Sequence, residues 1–344
     1  MTPADHPGVP IASCGQDTVS AGTDITKGGR APHADRTARR APGGPRPPAP
    51  RRGRWGEHGL AWAFLLPSLA VFVLFIGYPL GRTIYLSGHA NDLFGAPSRY
   101  VGFKHYTDLL TSADFRRTLV TTALFTLLTV VPGVLGALAL VLLLENRIRG
   151  VRLLRSAFAL PFAFSVASAS VVFAVFFNPA SGVLNGLLSH VGLGPVGWLT
   201  DSHYALVSVA VTTVWMNLGY NVLVLSAGIG SIPGEIVEAA RIDGASGLRL
   251  ARSITVPMLG PNLFFLTVVS TVHALQSFGQ IHILTKGGPD GSTRTLVYSV
   301  YEKAFAYGSS DFGTASAQAV VLLVVVLACT AVQFGVLERK VHYA

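Results

Sequence analysis

Three sets of side chains in this 344-residue chain have the types and spacing to do chemistry. Asn217, Tyr220 and Asn221 stand at i, i+3 and i+4, so on a helix they share one face. His273, Gln276, Ser277 and Gln280 stand at i, i+3, i+4 and i+7 and do the same. Amides, a phenol and an imidazole offer donors and acceptors together, which a hydroxyl-rich ligand needs. A protonated His273 would also suit a phosphate. The same residue types hydrogen-bond neighbouring helices inside membranes. Each stripe therefore reads either as helix-to-helix contact or as the lining of a solute path. The third set is charged: Glu238, Arg241, Asp243, Arg249 and Arg252 in EAARIDGASGLRLARSITVP (238–257), between two uncharged apolar runs.

None of these sets is catalytic. The sequence contains no G-x-x-x-x-G-K-S/T phosphate loop, no H-E-x-x-H, no Cys/His zinc spacing and no G-x-S-x-G. Cys14 and Cys329 are too few for a disulfide framework or a metal cluster. The expectation is a chain that is not an enzyme and binds no cofactor, with any ATP and magnesium held by a partner.

The elements that position these residues are membrane helices. Only 12% of the chain is charged and 50% is hydrophobic, against about 25% charged in an average soluble domain. A helix needs about 20 apolar residues to cross the hydrocarbon. Six runs qualify: 60–82, 119–144, 156–177, 205–231, 262–283 and 314–337. The last five contain no Asp, Glu, Lys or Arg. Pro67, Pro79, Pro132 and Pro161 interrupt some of them, which membrane helices tolerate. The fold expected is all-α and polytopic, with a transmembrane domain over 58–344. Ahead of it, 1–57 is rich in Gly, Pro, Ala and Arg, reads as a disordered tail, and shows no clear signal cleavage site. Its basic residues lack nucleic-acid motifs or interleaved aromatics, so no nucleic-acid partner is expected.

Charge orients the spans. With the N-terminus inside, the inner segments hold nine Lys/Arg in the tail, four at 147–155, three at 241–252 and two at 339–340, which is 18 of the 26. The positive-inside rule then predicts both termini in the cytoplasm of a plasma-membrane protein, and 232–261 as a cytoplasmic loop. Trp198, Trp215, Tyr204 and Tyr298 read as interface anchors, and Arg116 and Arg117 as headgroup contacts or an anion-attracting mouth. Proton- or sodium-driven carriers commonly place ionisable groups near the midplane, and the uncharged spans argue against one.

Within the loop, Ile232-Pro233 ends a span and 234–243 reads as a short helix. Gly244 fits the left-handed residue that closes it, and Ser246 can cap a second helix. The result is a compact knob presenting Glu238, Ala239 and Ala240 to a partner's cleft; an amphipathic helix lying on headgroups is the other reading.

Glu238-Ala239-Ala240, then Asp243-Gly244, then Ile254-x-x-Pro257 resembles the EAA loop of binding-protein-dependent ABC importers, with Val256 where Leu is usual. In that family the loop is a coupling helix for the ATPase subunit. Leu284 to Pro289, with Gly287-Gly288-Pro289, then Thr293, Tyr301 and Phe305, resembles the outer loop of carbohydrate permeases of the maltose class. So does Val101-Gly102-Phe103-Lys104-His105-Tyr106, with His105 in place of Asn. The stretches from Ala317 to Leu322, and Val332-Gln333-Phe334 with Glu338 to Tyr343, resemble permease subunits for sn-glycerol 3-phosphate. The resemblance implies ATPase coupling at Glu238, Ala239, Ala240, Asp243, Gly244, Ile254 and Pro257, and binding-protein docking at Gly287, Gly288 and Pro289. The partners it implies are a second permease, two ATPase subunits, an extracellular solute-binding protein and the lipid bilayer. The rival readings are an ion-coupled carrier and a membrane receptor or structural subunit without transport.

Overall fold

The computed structural model describes residues 54–92, 95–145, 157–158, 160–306 and 310–337. Most of the expected tail, the basic cluster at 147–155 and the Glu338–Tyr343 stretch lie outside the described residues. The chain divides into Met1–Trp62, of which only the helical 54–62 is described, and a compact unit over Ala63–Ala344.

Among the described residues, four helices are long and apolar enough to cross a membrane, or five if one sharply bent pair counts as a single span. The first is α1 (Arg54–Phe72), running through a widened π turn at Val73–Gly77 into α2 (Tyr78–Ser87), with 26 apolar-rich residues from Trp62. The turn sits just before Pro79, whose ring would meet the carbonyl four residues back in a regular helix. Tyr78 instead donates to Val73, and the extra residue makes room. A hairpin follows, β1 (His89–Asn91) against β2 (Pro97–Tyr100), antiparallel, with His89 opposite Tyr100. It is a small addition to a mostly helical fold, and stacking of His89 on Tyr85 at 4.1 Å fixes its start.

After α3 (Lys104–Thr111), the 33-residue α4 (Ala113–Glu145) packs along the 29-residue α7 (Ser202–Gly230). Between them stand α5 (Val166–Phe176) and α6 (Val183–His190). Among the described residues, the expected span 156–177 shows a 3-10 turn at Leu160–Ala163 and then the 11-residue apolar α5. Ser165 caps α5 by accepting from the Ser168 amide.

The α4–α7 seam is built from Val130, Val134, Ala137 and Val141 against Val222 and Leu225, with Leu266 and Ala274 closing one side. Lipid tails are as apolar as these side chains, so close packing and hydrogen bonds must hold such a seam. At Gly133 the backbones come close enough for Asn221 Nδ2 to donate to its carbonyl at 3.2 Å. At Gly228 a Cβ would collide with Asn262, so α7 and the helix Gly260–Leu275 touch through glycine.

Beyond α7 come α8 (Gly234–Ile242), α9 (Gly247–Leu250), a second π turn at Ala251–Thr255, α10 (Val256–Met258) and α11 (Gly260–Leu275). The π turn again ends two residues before a proline, here Pro257. The axis then bends by 68° into α11. Next are α12 (Gly279–Leu284), α13 (Leu296–Phe305) and α14 (Phe312–Leu337). The expected span 262–283 therefore ends at Leu275, and its last residues form a separate short helix. Asp311 starts α14, its carboxylate accepting from the Thr314 amide at 3.0 Å. Gly313 lets α14 abut the hairpin: a Cβ there would lie 2.5 Å from the His89 carbonyl oxygen.

Candidate coupling and permeation sites

The charged segment between α7 and α11 folds as a knob. Pro233 precedes α8, and Glu235 in the first turn suits the helix dipole. At the other end Gly244 adopts φ +83. The Ala245 amide donates to Ala240 O at 2.9 Å and the Gly244 amide to Arg241 O at 3.0 Å. These are the paired bonds of a Schellman closure. Glu238, Ala239 and Asp243 are exposed, while Ala240 turns inward. No side-chain hydrogen bond or ion pair engages Glu238 or Asp243 among the described residues. Ser246 flanks α9 in extended conformation without a side-chain capping bond. Leu250 is buried, Ile254 half-buried and Pro257 exposed. Ile236, Ile242 and Leu248 leave apolar surface open beside the charges. A cleft of about 820 Å³ separates the knob from Ala139, Leu142 and Leu143 of α4.

The two polar stripes fare differently. Asn217 and Tyr220 are half-buried on α7, with Tyr220 5.7 Å from the Phe162 ring. Asn221 is buried and its Nδ2 donates to Gly133, a helix-to-helix tie, while its Oδ1 has no hydrogen-bond partner. The second stripe does not lie on one helical face. α11 stops at Leu275, Gln276 takes φ −98 and ψ 7, and α12 begins after Phe278. His273 and Gln276 are exposed, whereas Ser277 and Gln280 are buried.

A further cavity of about 540 Å³ between α4, α11 and α14 is lined by Thr122, Thr126, Thr267, Thr271 and Gln333 among apolar side chains. Gln333 Nε2 donates to Thr271 Oγ1 at 2.8 Å. Each of the four threonine hydroxyls donates to the carbonyl four residues back. The i, i+4 spacing of Thr122 with Thr126 and of Thr267 with Thr271 was the available signal. It was missed because a hydroxyl satisfied by its own helix hardly lowers the apolar character of a span.

The Gly287-Gly288-Pro289 loop is tied at several points. Gly287 sits at φ +80, and a Cβ there would lie 2.6 Å from the Tyr298 ring. Thr293 Oγ1 donates to Gly288 O at 2.8 Å and lies 2.7 Å from Thr285 Oγ1. The Leu296 amide donates to Thr122 Oγ1 of α4 at 2.9 Å. Arg294 pairs with Asp114 of α4 at 3.1 Å and with Glu302 of α13 at 2.8 Å. Burial pushes the Glu302 carboxyl up, against the opposing pull of Arg294. Gly288 and Pro289 are half-buried, with exposed Lys286 and Asp290 on either side.

Residues 152–343 match the family described as binding-protein-dependent transport system inner membrane component. Among curated proteins, the chain is 36% identical over 287 residues to an sn-glycerol-3-phosphate transport system permease protein UgpA of Agrobacterium fabrum, covering 83% of this chain and 96% of that one. It is 37% identical over 288 residues to the protein of that name from Brucella abortus, covering 83% and 97%. Among solved structures, a chain in the crystal structure of a bacterial alginate ABC transporter, in complex with alginate pentasaccharide-bound periplasmic protein, superposes with a TM-score of 0.74 at 23% identity, covering 84% and 97%. A chain of a bacterial ABC transporter involved in the import of the acidic polysaccharide alginate gives 0.69 at 25% identity, covering 82% and 97%.

Proposed function

The chain belongs to the binding-protein-dependent transport system inner membrane component family, and from that membership we propose that it carries sn-glycerol 3-phosphate or a closely related polyol phosphate across the plasma membrane. As a permease subunit of an ABC importer it forms the membrane part of the machine. In this reading six helices cross the bilayer, both termini face the cytoplasm, and the knob at 234–257 is the coupling element. It pairs with a second permease, and each permease engages one of two ATPase subunits that hold ATP and magnesium. An extracellular solute-binding protein delivers solute at the face carrying α3 and the 285–295 loop. Closure of the ATPase pair pushes on Glu238, Ala239 and Ala240, and the bent entry into α11 passes that movement to the spans.

The observation that carries this reading is the knob itself. A helix closed by Gly244, with exposed Glu238 and Asp243 left without partners, stands between two membrane helices. Charge displayed beside Ile236, Ile242 and Leu248 suits a protein cleft better than a free surface. The substrate rests on the UgpA likeness over 83% of the chain. The candidate path residues are Asn217, Tyr220, His273 and Gln276, with Ser277 and Gln280 behind them and the threonine-lined cavity alongside.

The test is uptake of labelled sn-glycerol 3-phosphate and of a neutral disaccharide in cells with and without the gene. The expected outcome is uptake of glycerol phosphate that resists uncouplers in cells with the gene and is selectively lost without it. Loss confined to the disaccharide would discard the phosphate assignment, and uptake abolished by uncouplers would favour an ion-coupled carrier.

A further inference from the structure

The cleft of about 820 Å³ between the knob and the C-terminal end of α4 has a lining of mixed character. Ala139, Leu142 and Leu143 of α4 and Leu250 of the knob give it apolar walls. Arg241 is the one ionisable side chain among the described residues that line it. It is exposed, and among the described residues no ion pair or side-chain hydrogen bond engages its guanidinium. Glu238 and Asp243, close to it in the knob, are not among those lining residues. Ser246 also lines the cleft, and its hydroxyl makes no capping bond. The depth of the cleft follows from α4, whose 33 residues span about 50 Å, well beyond a hydrocarbon layer of about 30 Å. With Arg116 and Arg117 at one edge of that layer, about 20 residues reach the other, near Ala137. Ala139 to Leu143 therefore stand at headgroup level, and the knob lies just beyond them.

An unpaired guanidinium beside an apolar wall selects its occupant. A cation is repelled by Arg241. A bare alkyl chain covers the leucines and leaves the guanidinium unanswered. A free phosphate answers the guanidinium and leaves the leucines uncovered. A phospholipid anion does both: the guanidinium binds its phosphate through paired N–H donors, and its chain covers Leu142 and Leu143. An acidic protein segment has similar chemistry, but headgroup depth is where lipid phosphates already stand, and the cytoplasmic leaflet is the anionic one. We propose that this cleft holds one anionic phospholipid, with its phosphate on Arg241 and the upper part of a chain along Leu142 and Leu143. The choice of the cytoplasmic leaflet rests on the orientation under Proposed function. The pairing of Arg241 with an anionic lipid does not, since the cleft lies at headgroup level in either orientation.

The experiment places the full chain in nanodiscs doped with phosphatidylglycerol that carries a photoactivatable diazirine on its acyl chain, with the matching phosphatidylcholine as the zwitterionic control. Crosslinks are mapped by peptide mass spectrometry. The cleft predicts saturable labelling of 139–143 by the phosphatidylglycerol, several-fold above the phosphatidylcholine. Arg241→Gln lowers the apparent affinity about fivefold, the loss of one cation at a lipid headgroup, and Arg241→Lys restores most of it. Arg249→Gln removes the same charge from the knob outside the cleft lining and changes the labelling less than about twofold. Ala139→Trp keeps every charge, fills the cleft and lowers the labelling; position 139 is exposed, so the larger ring is accommodated without repacking a core. Equal labelling by the two lipids overturns the proposal. Equal losses in Arg241→Gln and Arg249→Gln point to a diffuse basic surface and also overturn it. Competition by millimolar inorganic phosphate would assign the cleft to the free anion, and labelling lost on assembly with the ATPase and second permease would assign it to a protein; either result overturns the lipid. Crosslinking needs no transport, so failure of the uptake reading leaves it untouched and the two failures are told apart.

Discussion

Two glycines with the same positive φ act for different reasons. Gly287 has a ring where its Cβ would be, whereas Gly244 has open space around it. Substitution at Gly244 therefore acts through backbone strain, about 1–3 kcal/mol for a left-handed non-glycine residue, and not through a clash. The expected result is that Gly244→Val inserts and accumulates normally but loses ATPase-subunit co-purification and uptake. Gly244→Asn, which tolerates left-handed backbone, keeps most of both. Normal uptake by Gly244→Val would remove the coupling role. This glycine was legible because a helix ending leaves a local signature. Asn221 was not: an amide within a span looks the same in sequence whether it meets a solute or a neighbouring helix. Only the approach of Gly133 decides, and it lies 88 residues away.

At the scale of elements, the long apolar helices could be read from composition, since a span needs only length and absence of charge. Breaks could not. Nothing in LQSFGQ marks the loss of helix at Gln276–Phe278, because every residue there is tolerated in a helix. The hairpin at 89–100 escaped because its strands of three and four residues are too short to show alternation. Caps were only partly legible: Ser246 makes no side-chain capping bond, while Asp201, which carries no expectation above, does. Asp201 starts α7 by accepting from the His203 amide at 2.8 Å, with the His203 ring at 3.0 Å. Those bonds hold its carboxyl below the ordinary value of 3.8. A depressed carboxylate adds stability above that ordinary value and loses it as the pH falls through the depressed one. Thermal melts of Asp201→Ala in detergent should lie below wild type at neutral pH and converge with it in strong acid. Parallel curves across that range would show that the cap does not carry the effect.

The whole molecule is tied at one end by Arg294, which holds the loop after α12 to both α4 and α13. Glu302 faces Arg294, Asp114 and Lys303, and burial raises its pKa despite the guanidinium. A raised carboxyl binds its proton more tightly in the folded state. Its contribution is full below the ordinary glutamate value of 4.5 and is lost as pH rises through the raised one. Hydrogen exchange across 285–305 should therefore quicken, relative to the intrinsic rate, as pH climbs through that window. Glu302→Gln should flatten the dependence, and an unchanged slope would place its origin elsewhere. Such long-range ties explain why the Gly287-Gly288-Pro289 loop is recognisable as a motif while its attachment is not. Asp114 and Arg294 are separated by 180 residues, and no local pattern connects them.

The two π turns carry a mechanical implication. Each ends two residues before a proline, so a stretch of widened winding is followed by a residue with no amide hydrogen to donate. A helix resists flexing through its ladder of bonds from residue to residue four back. Where the rungs are re-spaced and one is missing, stiffness drops and the rod yields there first. The knob therefore joins α11 through a compliant collar, and the rod ahead of the hairpin has a second collar midway. Force applied to the knob would be stored and released as flexure at the nearer collar.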